Sequence, residues 1–281
     1  VCGDWRSDGC SSDLELSMEA LGRFNSGSSS EFAVRPFILK YTKRTMIQME
    51  KWAESSNEHQ RRLASEGARP RLPWGESLSI FKKDPSPVLA ILEKLKADES
   101  LYVRKSVANN LNDISKDHPD LVLETAARWK GKNSHTNWII KRACRTLIKK
   151  ADERAMRLFS YSSESQIKIE NLSFRVSPSK LTQKDSCLMS YEFKLNSKDT
   201  LSLRLEYGID FVRSGGKTSR KNFLIAEQKY PPGTVVKGSK KHSWKELTTR
   251  KHYSGIHKIA LLINGKELAT ASIVLKTEKE N

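Results

Sequence analysis

Two stretches, YVRKSVANNLNDI at residues 102–114 and WIIKRACRTLIKK at residues 138–150, decide how the first half of this chain is read. In the first, Val103, Val107, Leu111 and Ile114 recur at helical steps, and in the second Ile140, Cys144, Leu147 and Ile148 do the same, so each stretch is a helix with one core-facing side. Each also carries a basic pair, Arg104-Lys105 and Lys141-Arg142. A third pair, Arg61-Arg62, completes a series spaced 43 and then 37 residues apart. Cations recurring at that interval on helices with a separate apolar side face solvent or a polyanion.

A period near 40 is that of HEAT-type helix pairs, which stack into a solenoid with a long concave face. Around the two stretches, apolar steps of three and four at Ile38, Tyr41, Thr45, Met49 and Trp52 predict a helix over 37–53, started by Pro36. Further helices are expected at 57–66, 76–83, 86–97, 100–115, 119–130 and 137–149, with turns at 83–85 and 118–119. After Tyr161 the period changes to alternation, as in Ile167, Ile169, Leu172, Phe174, Val176 and in Leu201, Leu203, Leu205, Tyr207. About seven strands follow, spaced as in a small sandwich. The expected fold class is therefore multidomain α and β, an α-solenoid of HEAT-like repeats followed by an immunoglobulin-like β-sandwich. Residues 1–14 read as a non-native leader, with the natural amino-terminus missing. Residues 15–163 read as the helical repeat domain, with Gly22 to Ser30 as a loop, and 164–281 as the sandwich.

The formal net charge is +17, and both halves share it: residues 31–165 hold 26 Lys and Arg against 17 Asp and Glu, residues 166–281 hold 22 against 11. Such a balance favours nucleic acid or an anionic surface as partner. No run approaches the ~18 apolar residues of a membrane span, and no apolar leader with a basic flank suggests secretion, so the expectation is a cytoplasmic protein. The four cysteines are scattered, with no C-x-x-C and no Cys/His cluster, which argues against a metal; no cofactor is expected. Cys187 has no second cysteine in its half, so the sandwich is expected to rest on its apolar faces.

Between the first two basic pairs, SEGARPRLPWG at 65–75 contains two prolines and two glycines and is expected to be a loop. It gathers Arg69, Arg71 and Trp74 at a repeat junction, where arginines bind phosphates and an indole stacks on a sugar or base, or else packs between helices; spacing alone favours packing. Asn109 and Asp113 share a helix face, and an exposed helical aspartate is usually structural or merely solvated. Glu31 closes a capping-box pattern with Ser28, and spacing alone favours that cap.

Taken in order, EFAVRPF at 31–37, RRLASEGARPRLPW at 61–74 and YVRKSVANNLNDI at 102–114 resemble the AlkC branch of the HEAT-repeat alkylpurine DNA glycosylases, and the resemblance runs from about Ser29 to Tyr161. Part of that family carries an immunoglobulin-like carboxy-terminal domain. The resemblance implies a monofunctional enzyme that hydrolyses the N-glycosidic bond of cationic alkylated bases such as 3-methyladenine without flipping the base. It assigns Glu31 and Asp113 as an acidic pair, with Phe32 and Trp74 as an aromatic wall against the lesion deoxyribose. The expected partner is double-stranded DNA containing alkylated bases, and the expected state is a monomer, nucleoid-associated when on DNA. Arg61, Arg62, Arg69, Arg71, Arg104, Lys105, Lys141, Arg142 and Arg145 are the expected DNA-binding cations of the helical half, with Arg220, Lys221, Lys240 and Lys241 in loops of the sandwich. The rival reading is a HEAT scaffold that holds nucleic acid or protein and cleaves nothing.

Overall fold

The computed structural model describes residues 11–25, 30–246 and 251–277. The chain forms two compact units that divide after Leu147, earlier than the 163/164 boundary read from the sequence. Each is described by itself.

The first unit is helical: α1 (Ser11–Phe24), α2 (Arg35–Lys40), α3 (Thr42–Ala53), α4 (Glu58–Gly67), α5 (Ser79–Lys83), α6 (Ser86–Leu95), α7 (Leu101–Ile114), α8 (Pro119–Trp129), α9 (Ser134–Ala143) and the start of α10 (Arg145–Lys149). Several expectations are corrected here. The helix predicted over 137–149 is two helices, α9 and α10, broken at Cys144, and the helix predicted over 37–53 is two helices, broken at Tyr41 (φ −130°, ψ 46°). The apolar steps run unbroken across that residue because Ile38, Thr45 and Met49 are all buried, so periodicity cannot see the break. The stretch set aside as leader overlaps α1, which begins at Ser11 and buries Leu14 and Met18, and the expected loop from Gly22 overlaps its last turn. Residues 1–10 and 26–29 lie outside the described residues, and with them the Ser28 of the expected cap.

Helices α4, α7 and α9, which carry the three basic pairs, pack in series. Apolar contact is only part of what registers them. Ser106 Oγ donates to Ser65 Oγ (2.9 Å), Asn110 Nδ2 to the Ser65 carbonyl (2.7 Å), and Asn112 Nδ2 to the Ala143 carbonyl (2.7 Å). Those polar groups are buried, so each bond avoids the roughly 1–3 kcal/mol cost of an unsatisfied partner and fixes how one helix slides on the next.

The second unit takes in the end of α10 and the whole of α11 (Glu153–Leu158) and, among the described residues, holds eight strands, one more than the sequence suggested: β1 (Ile169–Ser177), β2 (Lys180–Thr182), β3 (Ser186–Leu195), β4 (Leu201–Val212), β5 (Thr218–Tyr230), β6 (Val235–Ser243), β7 (Gly255–Ile263) and β8 (Lys266–Lys276). They form two sheets ordered β1-β3-β6 and β2-β8-β7-β4-β5. The overlooked strand is the three-residue β2, parallel to β8. Cys187 and Met189 from one sheet pack with Tyr207, Ile259 and Ile273 from the other around the fully buried Trp244, which makes the pair a sandwich. Cys187 is a free thiol that accepts from Trp244 Nε1 (3.4 Å).

Candidate active site

The site is built where the loop that follows α4 meets the ends of two other segments; the loop expected over 65–75 begins only after Gly67, because residues 65–67 close that helix. The loop is fastened from behind by Arg35, which is almost fully buried at the start of α2. Its guanidinium donates to the carbonyls of Gly67 and Arg69 (2.9 Å each) and to that of Glu76 (2.8 Å from Nε). Burial pulls the Arg35 guanidinium down to about 10, still charged at neutral pH. The loop's own Leu72 and Leu78 are buried, and Leu78 N–H closes onto the Pro70 carbonyl (3.2 Å).

On that anchored loop Trp74 is 100% exposed and left-handed, with φ 61°. Packing between helices, the reading its spacing favoured, is therefore excluded. A bulky residue in that region costs of order 1–3 kcal/mol, and no burial of its ring offsets it. Phe32, 44% exposed, lies against the next residue, Gly75, where any Cβ would stand 3.2 Å from the phenyl ring. A side chain at residue 75 would force the Phe32 ring or Leu72 to give by a few tenths of an ångström, so the glycine lets the phenyl ring lie close to the backbone next to Trp74.

The carboxylates come in from either side. Asp113, in the last turn of α7, is 3% exposed, so the solvated helix face expected for it is corrected. It accepts from Arg69 (2.8 Å) and from Lys116 Nζ (3.0 Å). Glu31, beside Phe32, stands 3.7 Å from Arg62 Nη1, and its buried Oε2 accepts no hydrogen bond among the described residues. Arg62 rests on the face of Tyr102, 4.4 Å from the ring centroid, and reaches toward Glu66 at 3.9 Å. Glu66 in turn binds Arg69 at 2.7 Å. Alternating charges thus run Glu31, Arg62, Glu66, Arg69, Asp113, Lys116. Burial pulls the Arg69 guanidinium down, but Glu66 and Asp113 together outweigh it and leave the group raised above its ordinary value.

The structure brings Glu31, Phe32, Trp74 and Asp113 to one site and sorts the expected DNA-binding cations into different groups. Arg69, 7% exposed and held by two carboxylates, is not placed to meet a phosphate. Arg61 chelates Asp98 (2.7 and 3.2 Å), and Arg104 caps the carbonyls of Asp98 and Glu99 (2.9 and 2.7 Å), so both tie the turn before α7. Arg71 pairs with Asp117 (2.6 Å), whose carboxyl that bond holds below its ordinary value. Lys105, Arg142 and Arg145 are exposed, and Lys141 is half-buried. Arg142 and Arg104 flank the Trp138 ring at 5.5 and 5.9 Å, while Arg145 donates to Asn109 Oδ1 (3.2 Å).

In the sandwich the four expected cations lie in strands, not loops. Arg220 and Lys221 belong to β5, where Arg220 is chelated by Asp210 and reaches Glu267 (3.1 Å). Lys240 and Lys241 are exposed in β6. The Gly and Ser flanks that suggested a loop, Gly238 and Ser239, are ladder partners of Tyr191 and Ser190. His118 Nε2 donates to the Lys82 carbonyl (2.7 Å) and makes no side-chain cap at α8.

Sequence reasoning missed Arg35, Glu66 and Lys116. For Glu66 the i,i+3 spacing to Arg69 was a usable signal, and for Arg35 a cation amid Phe32, Val34 and Phe37 was another. Among the described residues no cluster of three or more His, Cys, Asp or Glu is suited to a metal ion, and no helix is long and apolar enough to cross a membrane.

A helical unit with an exposed aromatic wall and buried carboxylates, followed by a sandwich, matches known proteins in both parts. Residues 27–147 match the family described as DNA alkylation repair enzyme, and residues 170–277 match the C-terminal Ig-like domain of the uncharacterised protein YhaZ. The uncharacterized protein YhaZ of Bacillus subtilis (strain 168) is 49% identical over 252 residues, 90% of this chain and 70% of that protein. The alkylpurine DNA glycosylase AlkC of Pseudomonas fluorescens, solved bound to DNA containing an abasic site analog, is 40% identical with a TM-score of 0.90, covering 95% of this chain and 74% of that one. Fold and site together define the class as that of the DNA alkylation repair enzymes. Within it, the chain belongs to the AlkC-type family with an Ig-like carboxy-terminal domain.

Proposed function

We propose that the protein is a monofunctional alkylpurine DNA glycosylase that releases cationic bases such as 3-methyladenine from duplex DNA and leaves an abasic site. The observation that carries this reading is Trp74: a fully exposed indole, held in a strained conformation by an anchored loop whose Arg69 grips the buried Asp113. Nothing in packing explains that arrangement, whereas a reacting deoxyribose does.

A positively charged base is a good leaving group. The C1′–N bond breaks with its electron pair going to the base, which becomes neutral, and positive charge develops on the sugar. Indole and phenyl faces favour that charge, and fixed carboxylates favour it more, because their orientation is set before the reaction begins. The two carboxylates are unequally committed. Asp113 is saturated by Arg69 and Lys116 and acts as a fixed negative charge. Glu31 is paired only loosely, 3.7 Å from Arg62, so it is the carboxylate left able to accept from a water that adds to C1′ and to take its proton. No leaving-group acid is needed, and the sugar is approached from the surface, so the base stays in the stack. A HEAT-like arrangement of α4, α7 and α9 would present Lys105, Lys141, Arg142 and Arg145 to the backbone of the duplex, with the protein acting as a monomer and Lys240 and Lys241 adding phosphate contacts.

The test is release of free 3-methyladenine from methylated duplex DNA at fixed salt, beside Asp113→Asn and Glu31→Gln. Release that collapses in both variants while DNA binding persists supports the reading. A parent chain that binds DNA and releases nothing leaves the scaffold reading in its place.

A further inference from the structure

We propose that Glu66 is a positioning residue for this reaction: it holds Arg62 away from full pairing with Glu31, balances the charge of Arg69, and so sets the local charge that a cationic sugar meets. The inference rests on the glycosylase reading above and deepens it. Glu66 is 6% exposed on α4 and accepts from Arg69 Nη1 at 2.7 Å, while its other guanidinium neighbour, Arg62, stands at 3.9 Å. The position of Arg62 is informative. It lies 3.7 Å from Glu31 and 3.9 Å from Glu66, beyond hydrogen-bond distance of either, and its planar face is spread on Tyr102. Shared between two carboxylates and a ring, it leaves the buried Glu31 Oε2 with no hydrogen bond. Arg69 is divided in the same way, between Glu66 and Asp113.

The six charged groups from Glu31 to Lys116 sum to zero as they stand. Removing the Glu66 charge leaves the set at +1, and it frees Arg62 to close on Glu31, a carboxylate that the developing cation needs. A unit charge several ångströms away in a partly buried site changes the stability of a cation by a factor on the order of tenfold or more. Tyr102 enters the same argument as the platform that keeps Arg62 from swinging onto Glu31.

The readout is a ratio of affinities that a merely structural role would not move. Two duplexes of one sequence, carrying at one position either a cationic pyrrolidine analogue of the abasic sugar or its neutral tetrahydrofuran counterpart, are titrated with the full chain at one salt concentration. The parent is expected to prefer the cationic sugar. Glu66→Gln should lower that preference about tenfold, Arg62→Gln should raise it, and the double variant, again neutral, should return within about threefold of the parent. Loss of a phosphate contact would weaken both duplexes alike and leave the ratio alone. A parent preference that persists unchanged in Glu66→Gln overturns the proposal while leaving the glycosylase reading intact; a parent with no preference overturns both. Should Glu66→Gln fail to fold, as a thermal melt would reveal, Arg62→Gln decides by its opposite sign, and a lowered ratio there overturns the proposal.

Discussion

In the helical unit the aromatic side chains of the site face outward and are placed against ions: Trp74 and Phe32 are exposed, Tyr102 carries Arg62, and Trp138 lies between Arg104 and Arg142. In the sandwich they face inward and are placed against one another. Trp244 is fully buried, with Phe211, His242, His252 and His257 around it at centroid distances of 4.8 to 5.7 Å. The same residue types thus do opposite work. Inward rings exclude water and hold sheets together. Outward rings contribute nothing to stability that their exposure does not cancel, and are explained only by a ligand. Charge divides less cleanly: buried ion pairs join Glu66, Arg69 and Asp113 at the site, and in the sandwich Arg204 pairs with the buried Glu206, whereas Arg220, Asp210, Lys258 and Glu267 lie on a more exposed sheet surface.

This contrast is sharpest when tested by substitution. The largest effect is expected from Asp113→Asn, which should lower single-turnover base release by two orders of magnitude or more, with DNA affinity within about threefold, a bound taken from the absence of any phosphate role for a buried carboxylate. Next, Trp244→Ala should cost the sandwich about 3–5 kcal/mol, visible as loss of its melting transition. Trp74→Ala should behave in the opposite way, with base release falling roughly tenfold or more and stability unchanged, while Trp74→Gly should stabilise the helical unit by about 1 kcal/mol because glycine accepts φ 61°. A Trp74→Ala variant that melts early would break the comparison outright.

Smaller is the pH effect expected in the sandwich. His257 is fully buried; its Nε2 donates to the Tyr253 carbonyl (3.1 Å) and its Nδ1 accepts from the Val212 N–H (3.3 Å), which requires the neutral ring. Burial lowers its folded value from 6.5, so between the two values the unfolded chain binds the extra proton. Stability is therefore full above about pH 7 and falls as pH drops below 6.5. Melting of the sandwich followed from pH 7.5 to 5 should show this decline, reduced in His257→Gln, whereas Asp210, held low by Arg220, should contribute its loss only at more acid pH. The smallest effect is that of Lys240→Ala with Lys241→Ala, a loss of affinity for DNA that shrinks at high salt and leaves the rate of bond cleavage unchanged.

What could be read from the chain follows the same line between local and distant. The apolar steps of Val103, Val107, Leu111 and Ile114 and the alternation of Leu201 to Tyr207 are local signals, and each element stands where its period put it. The gathering of Glu31, Phe32, Trp74 and Asp113 was legible only through resemblance. Their individual spacings favoured a cap, a packed indole and a structural or solvated aspartate, and burial depends on distant partners, as that of Asp113 does on Arg69, 44 residues before it. Basic runs mislead for a related reason. Arg61 and Arg69 count as surface charge in a composition, yet Asp98 and Asp113, 37 and 44 residues further on, hold them, and no window short enough to score a run contains those partners. The Lys240-Lys241 pair was misplaced because Gly238 and Ser239 suit a strand edge as well as a turn.

The clamp behind the Trp74 loop has a consequence for how such a site diversifies. Arg35 reads only main-chain oxygens, those of Gly67, Arg69 and Glu76, and is indifferent to the side chains attached to them. The tip from Pro73 to Trp74 can therefore change its chemistry while the loop keeps its course, provided Gly75 and the buried Leu72 and Leu78 remain. Selectivity for one damaged base over another is thereby uncoupled from folding, and libraries varied at residues 73 and 74 should retain a high fraction of intact protein.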